Sequence, residues 1–247
     1  MSITLDKEYG LYIDGKWAPA SDGAKFAVYN PANGEHLADC AEATKEDVDT
    51  AVKAAWKALP SWKVVEPSVR SKILLDIADA IEANAERLAT VESMDNGKPI
   101  RETMALDIPL AVDHFRYFAG VIRSEEGSAT VLDGDLLSII LREPIGVVGM
   151  IVPWNFPFLM VAWKLAPALA AGDCVVLKSS SSTPLSAFEL MKVIGDLLPP
   201  GVVNIISGKG SKSGQYILDH PGFRKLAFTG STEVGLSVSR AAAEKLI

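Results

Sequence analysis

The chain has 247 residues, a formal net charge of −7 and a 49% hydrophobic content, which is enough to bury a core without disulfide staples. No segment clusters lysine and arginine, which excludes a nucleic-acid footprint. Two cysteines, Cys40 and Cys174, are too few for a disulfide framework; with a start, MSITLDKEYG, that lacks a secretory pattern, they point to a reducing, cytoplasmic setting.

Short strands and tight turns come first. Leu11–Ile13 and residues 16–17 flank an Asp14-Gly15 pair, the signature of a hairpin. Residues 26–29 read as a strand, closed by the turn Asn30-Pro31-Ala32-Asn33-Gly34. Thr44 with Asp47 resembles a capping box, and Val48, Val52, Trp56 and Leu59 share one helical face. Pro67 suits a first helical turn, followed by the stripe Ile73, Leu74, Ile77 and Ile81. A third helical pattern covers 101–122, with Ile108, Val112, Phe115 and Phe118 in step, and Pro109 should kink it or begin a fresh segment. Residues 128–142 are strand-like but open, as in a sheet edge or an arm laid on a partner subunit.

The apolar stretch 145–177 is broken by Pro153, Asn155, Pro157, Lys164 and Pro167, short of the roughly 20 uninterrupted apolar residues that a membrane span requires. It reads as strand 145–152, a rigid turn, and a helix over about 157–170. Strands at 173–177, 202–206 and 225–228 then alternate with helices at 184–198, about 211–219 and from 231. The strands are near-continuous apolar runs, as parallel strands covered on both faces should be. This rhythm predicts a doubly wound, mostly parallel α/β fold with N-terminal helices and a projecting β arm.

Ligands of such sheets bind beyond the carboxyl ends of the strands, and three ends have suggestive chemistry. In Pro153-Trp154-Asn155-Phe156-Pro157 two prolines stiffen the turn, so the Asn155 amide can stabilise developing negative charge; read singly, Asn155 is as readily a helix cap. Lys178 closes a buried strand where it can meet phosphate or ribose oxygens, unless it is a snorkelling surface lysine. Gly230-Ser231-Thr232 opens a helix whose free N–H groups favour a phosphate, although many helices begin this way and the segment is neither a GxGxxG fingerprint nor a Walker loop. His36, His114 and His220 lie in separate elements without metal-ligand spacing, so no metal site is expected. Neither cysteine has the electropositive, accessible setting that a reactive thiol needs.

Taken in order, PWNFP at 153–157, KLAPALAAG at 164–172 leading to VVLK at 175–178, and FTGSTEVG at 228–235 resemble the aldehyde dehydrogenase superfamily. So do Asn30-Pro31 with Gly34-Glu35, Asp95-Asn96-Gly97-Lys98, and FRYFAG at 115–120, so the similarity covers almost all of the chain. The resemblance implies oxidation of an aldehyde by NAD or NADP, with Asn155 in the oxyanion hole. It implies that Ile151, Val152, Pro153 and Trp154 line the cofactor site, that Lys178 holds the adenosine ribose, and that Gly208 lies near the adenine. Ser231 would contact the pyrophosphate, with Phe228, Gly230 and Val234 around the adenine side. Residues 1–127 and 143–247 would form the cofactor domain, and 128–142 an arm for homo-oligomer assembly.

Two departures matter. The family's general-base glutamate and nucleophilic cysteine match nothing in these 247 residues, so the chain resembles an amino-terminal half without the catalytic domain and is expected to be inactive alone. Ser181 stands where the family often has a glutamate that binds both ribose hydroxyls; loss of that carboxylate removes repulsion toward a 2′-phosphate and favours tolerance of NADP. Two other readings stay open: a non-catalytic nucleotide-binding or assembly module, and an acylating enzyme that passes its thioester to coenzyme A.

Overall fold

The computed structural model describes residues 3–247. The chain opens with five short strands: β1 (Glu8–Tyr9), β2 (Leu11–Ile13), β3 (Lys16–Ala18), β4 (Lys25–Tyr29) and β5 (His36–Ala41). Asp14 and Gly15 both adopt positive φ, 51° and 76°, as the two-residue turn joining β2 and β3 requires. Helix α1 (Lys45–Trp62) begins with the expected capping box: the Thr44 hydroxyl accepts from the Asp47 amide, and the Asp47 carboxylate accepts from the Thr44 amide. Val48, Val52 and Leu59 are buried while Trp56 lies at the margin of the core.

Pro67 starts α2 (Pro67–Ala83), whose Leu74, Ile77 and Ile81 are buried. The next helix, α3 (Ala85–Asn96), is absent from the hydrophobic-stripe reading for a physical reason. Its buried face holds Leu88, Ala89 and Val91 but also Thr90, Glu92 and Asp95, so the apolar stripe is interrupted by polar residues, two of them acids. After α4 (Ile100–Glu102), residues Thr103–Asp107 form a π-helical turn. Helix α5 (Ile108–Val121) then begins with Pro109 in its first turn, so the proline marks a fresh segment rather than a kink. Strands β6 (Ser128–Leu132) and β7 (Leu136–Ile140) pair only with each other, and every residue in both is exposed.

The remaining elements alternate: β8 (Val147–Ile151), α6 (Pro157–Ala171), β9 (Cys174–Lys178), α7 (Leu185–Ile194), β10 (Val203–Ile206), α8 (Gln215–Asp219), β11 (Lys225–Phe228) and α9 (Thr232–Lys245). The central sheet has the order β11-β8-β9-β10-β2-β3. Its four late strands are parallel, and β2 and β3 add an antiparallel edge. Helices α6 and α7 pack together as the chain steps from β8 to β10, and α8 packs with α1 as the chain jumps back to β11. Helix α1 packs on β8, β9 and β10 and touches α8, while α2, α3 and α5 back α6 and α7. One continuous core results, with Trp62, Phe115, Phe158, Phe188 and Phe223 fully buried. No described helix is long and apolar enough to cross a membrane.

Candidate functional site

The register of the parallel strands sets the geometry. Phe228 pairs with Ile151, Ile151 with Lys178, and Lys178 with Ile206, so the last residues of four strands form one rank across the sheet. The chain leaves them in step: the Thr229 amide donates to the Ile151 carbonyl, Val152 to Lys178 and Ser179 to Ile206, at 3.3, 3.2 and 3.1 Å. The strand order reverses between β8 and β11, which opens a crevice beyond their carboxyl ends. On one side of it lie Pro153, Trp154 and Asn155, and on the other Gly230, Ser231 and Val234, with Trp154 62% exposed.

Asn155 is exposed and caps nothing. The N-cap of α6 is Phe156, with no side-chain hydrogen bond, so the capping alternative fails. Lys178 is not a surface lysine either: it is 3% exposed. Its Nζ donates to the Ser179 carbonyl at 2.8 Å, and no carboxylate pairs with it among the described residues. A methyl group at Gly214 would sit 3.8 Å from its Cδ and Cε, so its stem lies toward the turn after β10. Burial pushes its ammonium down to about 8. Ser181, partly exposed, follows three residues later, and the buried Gly208 sits beside Ser213 and Glu42.

Ser231 is the N-cap of α9, its hydroxyl accepting from the Val234 amide at 3.4 Å. The helix therefore uses this oxygen itself, while its remaining first-turn N–H groups point outward without intrahelical partners. The Phe228 ring lies against Gly230, where a Cβ would come within 2.5 Å of it. From α6, the Lys164 Nζ donates to the Thr229 hydroxyl at 3.0 Å, linking the two sides of the switch point.

The turn before α6 rests on the segment 92–98, which carries a family-like motif in the sequence but no assigned role in the site. The Asn96 side-chain amide donates to the Trp154 carbonyl at 2.6 Å. The Lys98 ammonium sits 3.3 Å from the centre of the Phe156 ring and pairs at 2.6 Å with the fully buried Asp107. Glu92 accepts from the Phe158 amide at 3.3 Å and from the Ser186 hydroxyl, and Asp95 accepts from the Leu185 amide at 2.8 Å. Burial raises both acids, Glu92 to about 7 and Asp95 well above the carboxylate range. Two acids thus serve the first turns of α6 and α7, where free N–H groups need acceptors.

The cysteines and histidines stay apart. Cys40 and Cys174 are both fully buried in their strands. Burial pushes the Cys174 thiol up to about 12 and raises Cys40 further. His36 pairs with Asp39 and His220 with Asp49, while His114 packs against Phe118 and Trp163.

Residues 17–247 match the aldehyde dehydrogenase family. A protein named aldehyde dehydrogenase from Vibrio cholerae serotype O1 is 54% identical over 97% of this chain, which covers 47% of that protein. Among solved structures, the NAD+ complex of aldehyde dehydrogenase from Bacillus cereus superposes with a TM-score of 0.95 at 40% identity, over 98% of this chain and 50% of that one. The P. syringae AldA indole-3-acetaldehyde dehydrogenase, in complex with NAD+ and IAA, gives 0.95 at 34% identity, over 98% and 50%. The chain spans about half the length of the curated relatives it matches. From the ordered strand tips and these likenesses, the chain belongs to the aldehyde dehydrogenase family.

Proposed function

We propose that this chain supplies the cofactor site and one oxyanion-stabilising group for NAD(P)-dependent oxidation of an aldehyde to a carboxylic acid. The observation that carries this reading is the single rank of strand ends, which turns Trp154–Asn155, Lys178 and Gly230–Ser231 toward one edge of the sheet. The residues suit a dinucleotide. A buried ammonium with one main-chain partner retains donors for ribose hydroxyls, and an open helix N-terminus accepts a pyrophosphate. Ile151, Val152, Pro153 and Trp154 form one wall, Phe228, Gly230 and Val234 the other, and Gly208 lies toward the adenine end. When bound, the nicotinamide supplies a hydride acceptor. Complexes of the Bacillus cereus and P. syringae relatives with NAD+ support this choice.

In this reading Asn155 donates its amide N–H to the oxyanion that forms when a thiolate adds to the aldehyde carbonyl. That thiolate is neither Cys40 nor Cys174, since a nucleophilic cysteine must be both ionised and reachable. In this reading neither thiol of these residues is the nucleophile, and the part the chain plays is the cofactor site and the Asn155 amide. Its unpaired, buried thiols fit a reducing compartment such as the cytoplasm. The arm serves assembly. Register puts Ala129, Val131, Leu137 and Ile139 on one face of the β6–β7 hairpin, and an isolated hairpin with an exposed apolar face needs a partner surface. A second copy of the chain provides it.

Four experiments test these statements. Lys178→Met should weaken NAD binding at least tenfold, measured by calorimetry. The same variant should be more stable at pH 7 by up to about 3 kcal/mol, because a buried charge is removed. The unfolded lysine keeps its proton up to about 10.5 and the folded one only to about 8, so wild-type stability rises between these values and the variant's advantage fades there. Unchanged affinity in this variant would remove Lys178 from the site. NADP should bind within tenfold of NAD, because Ser181 presents no carboxylate to the 2′-phosphate; a preference for NAD above a hundredfold contradicts that. Iodoacetamide at pH 8 should leave both cysteines unlabelled in the folded chain, and rapid labelling of either reopens the question of the nucleophile. Finally, Leu137→Asp with Ile139→Asp should shift sedimentation from oligomer to monomer without loss of helicity; an unshifted profile places assembly elsewhere.

A further inference from the structure

The amide of Asn155 is useful only if the turn that carries it is held in one orientation before the reaction, because a donor that must be ordered during the reaction loses much of its effect. The turn does little to hold itself. It has no side-chain cap, and its two prolines fix φ at 153 and 157 and restrict Phe156, but leave 154 and 155 free. External contacts fall on alternate residues: Asn96 at 2.6 Å and, more weakly, the Thr183 hydroxyl at 3.5 Å on the Trp154 carbonyl, Lys98 on the Phe156 ring and Glu92 on the Phe158 amide. They bracket Asn155 on both sides.

Apart from the long Thr183 contact, these grips come from seven consecutive residues. Glu92 and Asn96 are one helical turn apart on α3 and so share a face. Gly97 then reverses the chain in the left-handed region, with φ 86°, and a Cβ there would come within 2.9 Å of Pro31. That reversal returns Lys98 to the same side as Asn96. The Lys98 charge is fixed by the fully buried Asp107, which leaves the ammonium a defined position over the aromatic face.

We propose that Asn96 and Lys98 are positioning residues for Asn155: through the Trp154 carbonyl and the Phe156 ring they hold its amide in the orientation that an oxyanion requires. The proposal rests on the assignment of Asn155 to that role. Asn96 is the more informative member, because the Trp154 carbonyl lies at the surface and water can replace the lost donor. Removing the bond should therefore loosen the turn without unfolding the chain. Asn96→Asp has the same size but no N–H to donate, and so separates the hydrogen bond from packing.

The test is 15N relaxation on the 247-residue chain. In the wild type, the amides of 154–156 and the Asn155 side-chain amide should be as ordered as those of β8, with order parameters near about 0.85. In Asn96→Ala and Asn96→Asp they should fall below about 0.6, while α3, α6 and α7 stay unchanged and the melting temperature moves by only a few degrees. Lys98→Met combined with Asp107→Asn, which removes both charges together, should loosen Phe156 in the same way. A turn that stays ordered in Asn96→Asp overturns the proposal; so does uniform loosening of α3 and α6, which would make Asn96 a packing residue only. An NAD titration of the wild type is read separately. Failure to bind NAD sinks the cofactor reading and leaves the relaxation result to stand or fall by itself.

Discussion

The parallel register of β11, β8, β9 and β10 is the constraint on which the other features depend. Because Phe228, Ile151, Lys178 and Ile206 are hydrogen-bonded neighbours in one rank, four loops begin at the same height above the sheet. A slip of one residue in any strand would move its last side chain to the opposite face. Buried faces on both sides of the strands prevent that slip: every residue of β9 and β10 is buried. Packing energy in the core thus becomes positional accuracy at the edge.

That accuracy has a cost visible in the same residues. Lys178 ends a strand whose other members are apolar, and its ammonium is desolvated with a single carbonyl for company. Such a group opposes folding rather than assisting it. Its retention at a strand end beside an open crevice is what a site waiting for oxygen-rich ligand groups would show. The exposed Trp154, Gly230 and Ser231 have the same character, since each leaves apolar surface or backbone donors uncovered.

Beneath the crevice the balance differs. Glu92, Asp95 and Asp107 are almost fully buried, yet each meets an amide, a hydroxyl or an ammonium. The first turns of α6 and α7 start above them, as does the turn that leads into α6. Apolar packing alone cannot satisfy the N–H groups of those first turns. Acids from a neighbouring helix can, which explains why polar residues occupy positions where a hydrophobic stripe would be expected.

Much of this architecture follows from the sequence without coordinates. Local chemistry dictates the Asp14-Gly15 turn, the Thr44–Asp47 box, the entry of α2 at Pro67 and the alternation of strand and helix after residue 145, because each depends on neighbours within a few positions. Asn155, Lys178 and Ser231 are also recognisable as candidates, since strand ends and helix starts announce themselves in turn residues. Apart from the family resemblance, the residues themselves do not say which of these ends meet, because strand order and register are set by contacts between distant segments. Nor could it reveal α3 as a support. Two of its six buried residues are acids, and the contacts of Asn96 and Lys98 exist only when tertiary packing brings the Trp154 carbonyl and the Phe156 ring against them. Local preferences are written in adjacent residues, whereas the partners of a buried polar group are decided by the packing of the whole domain.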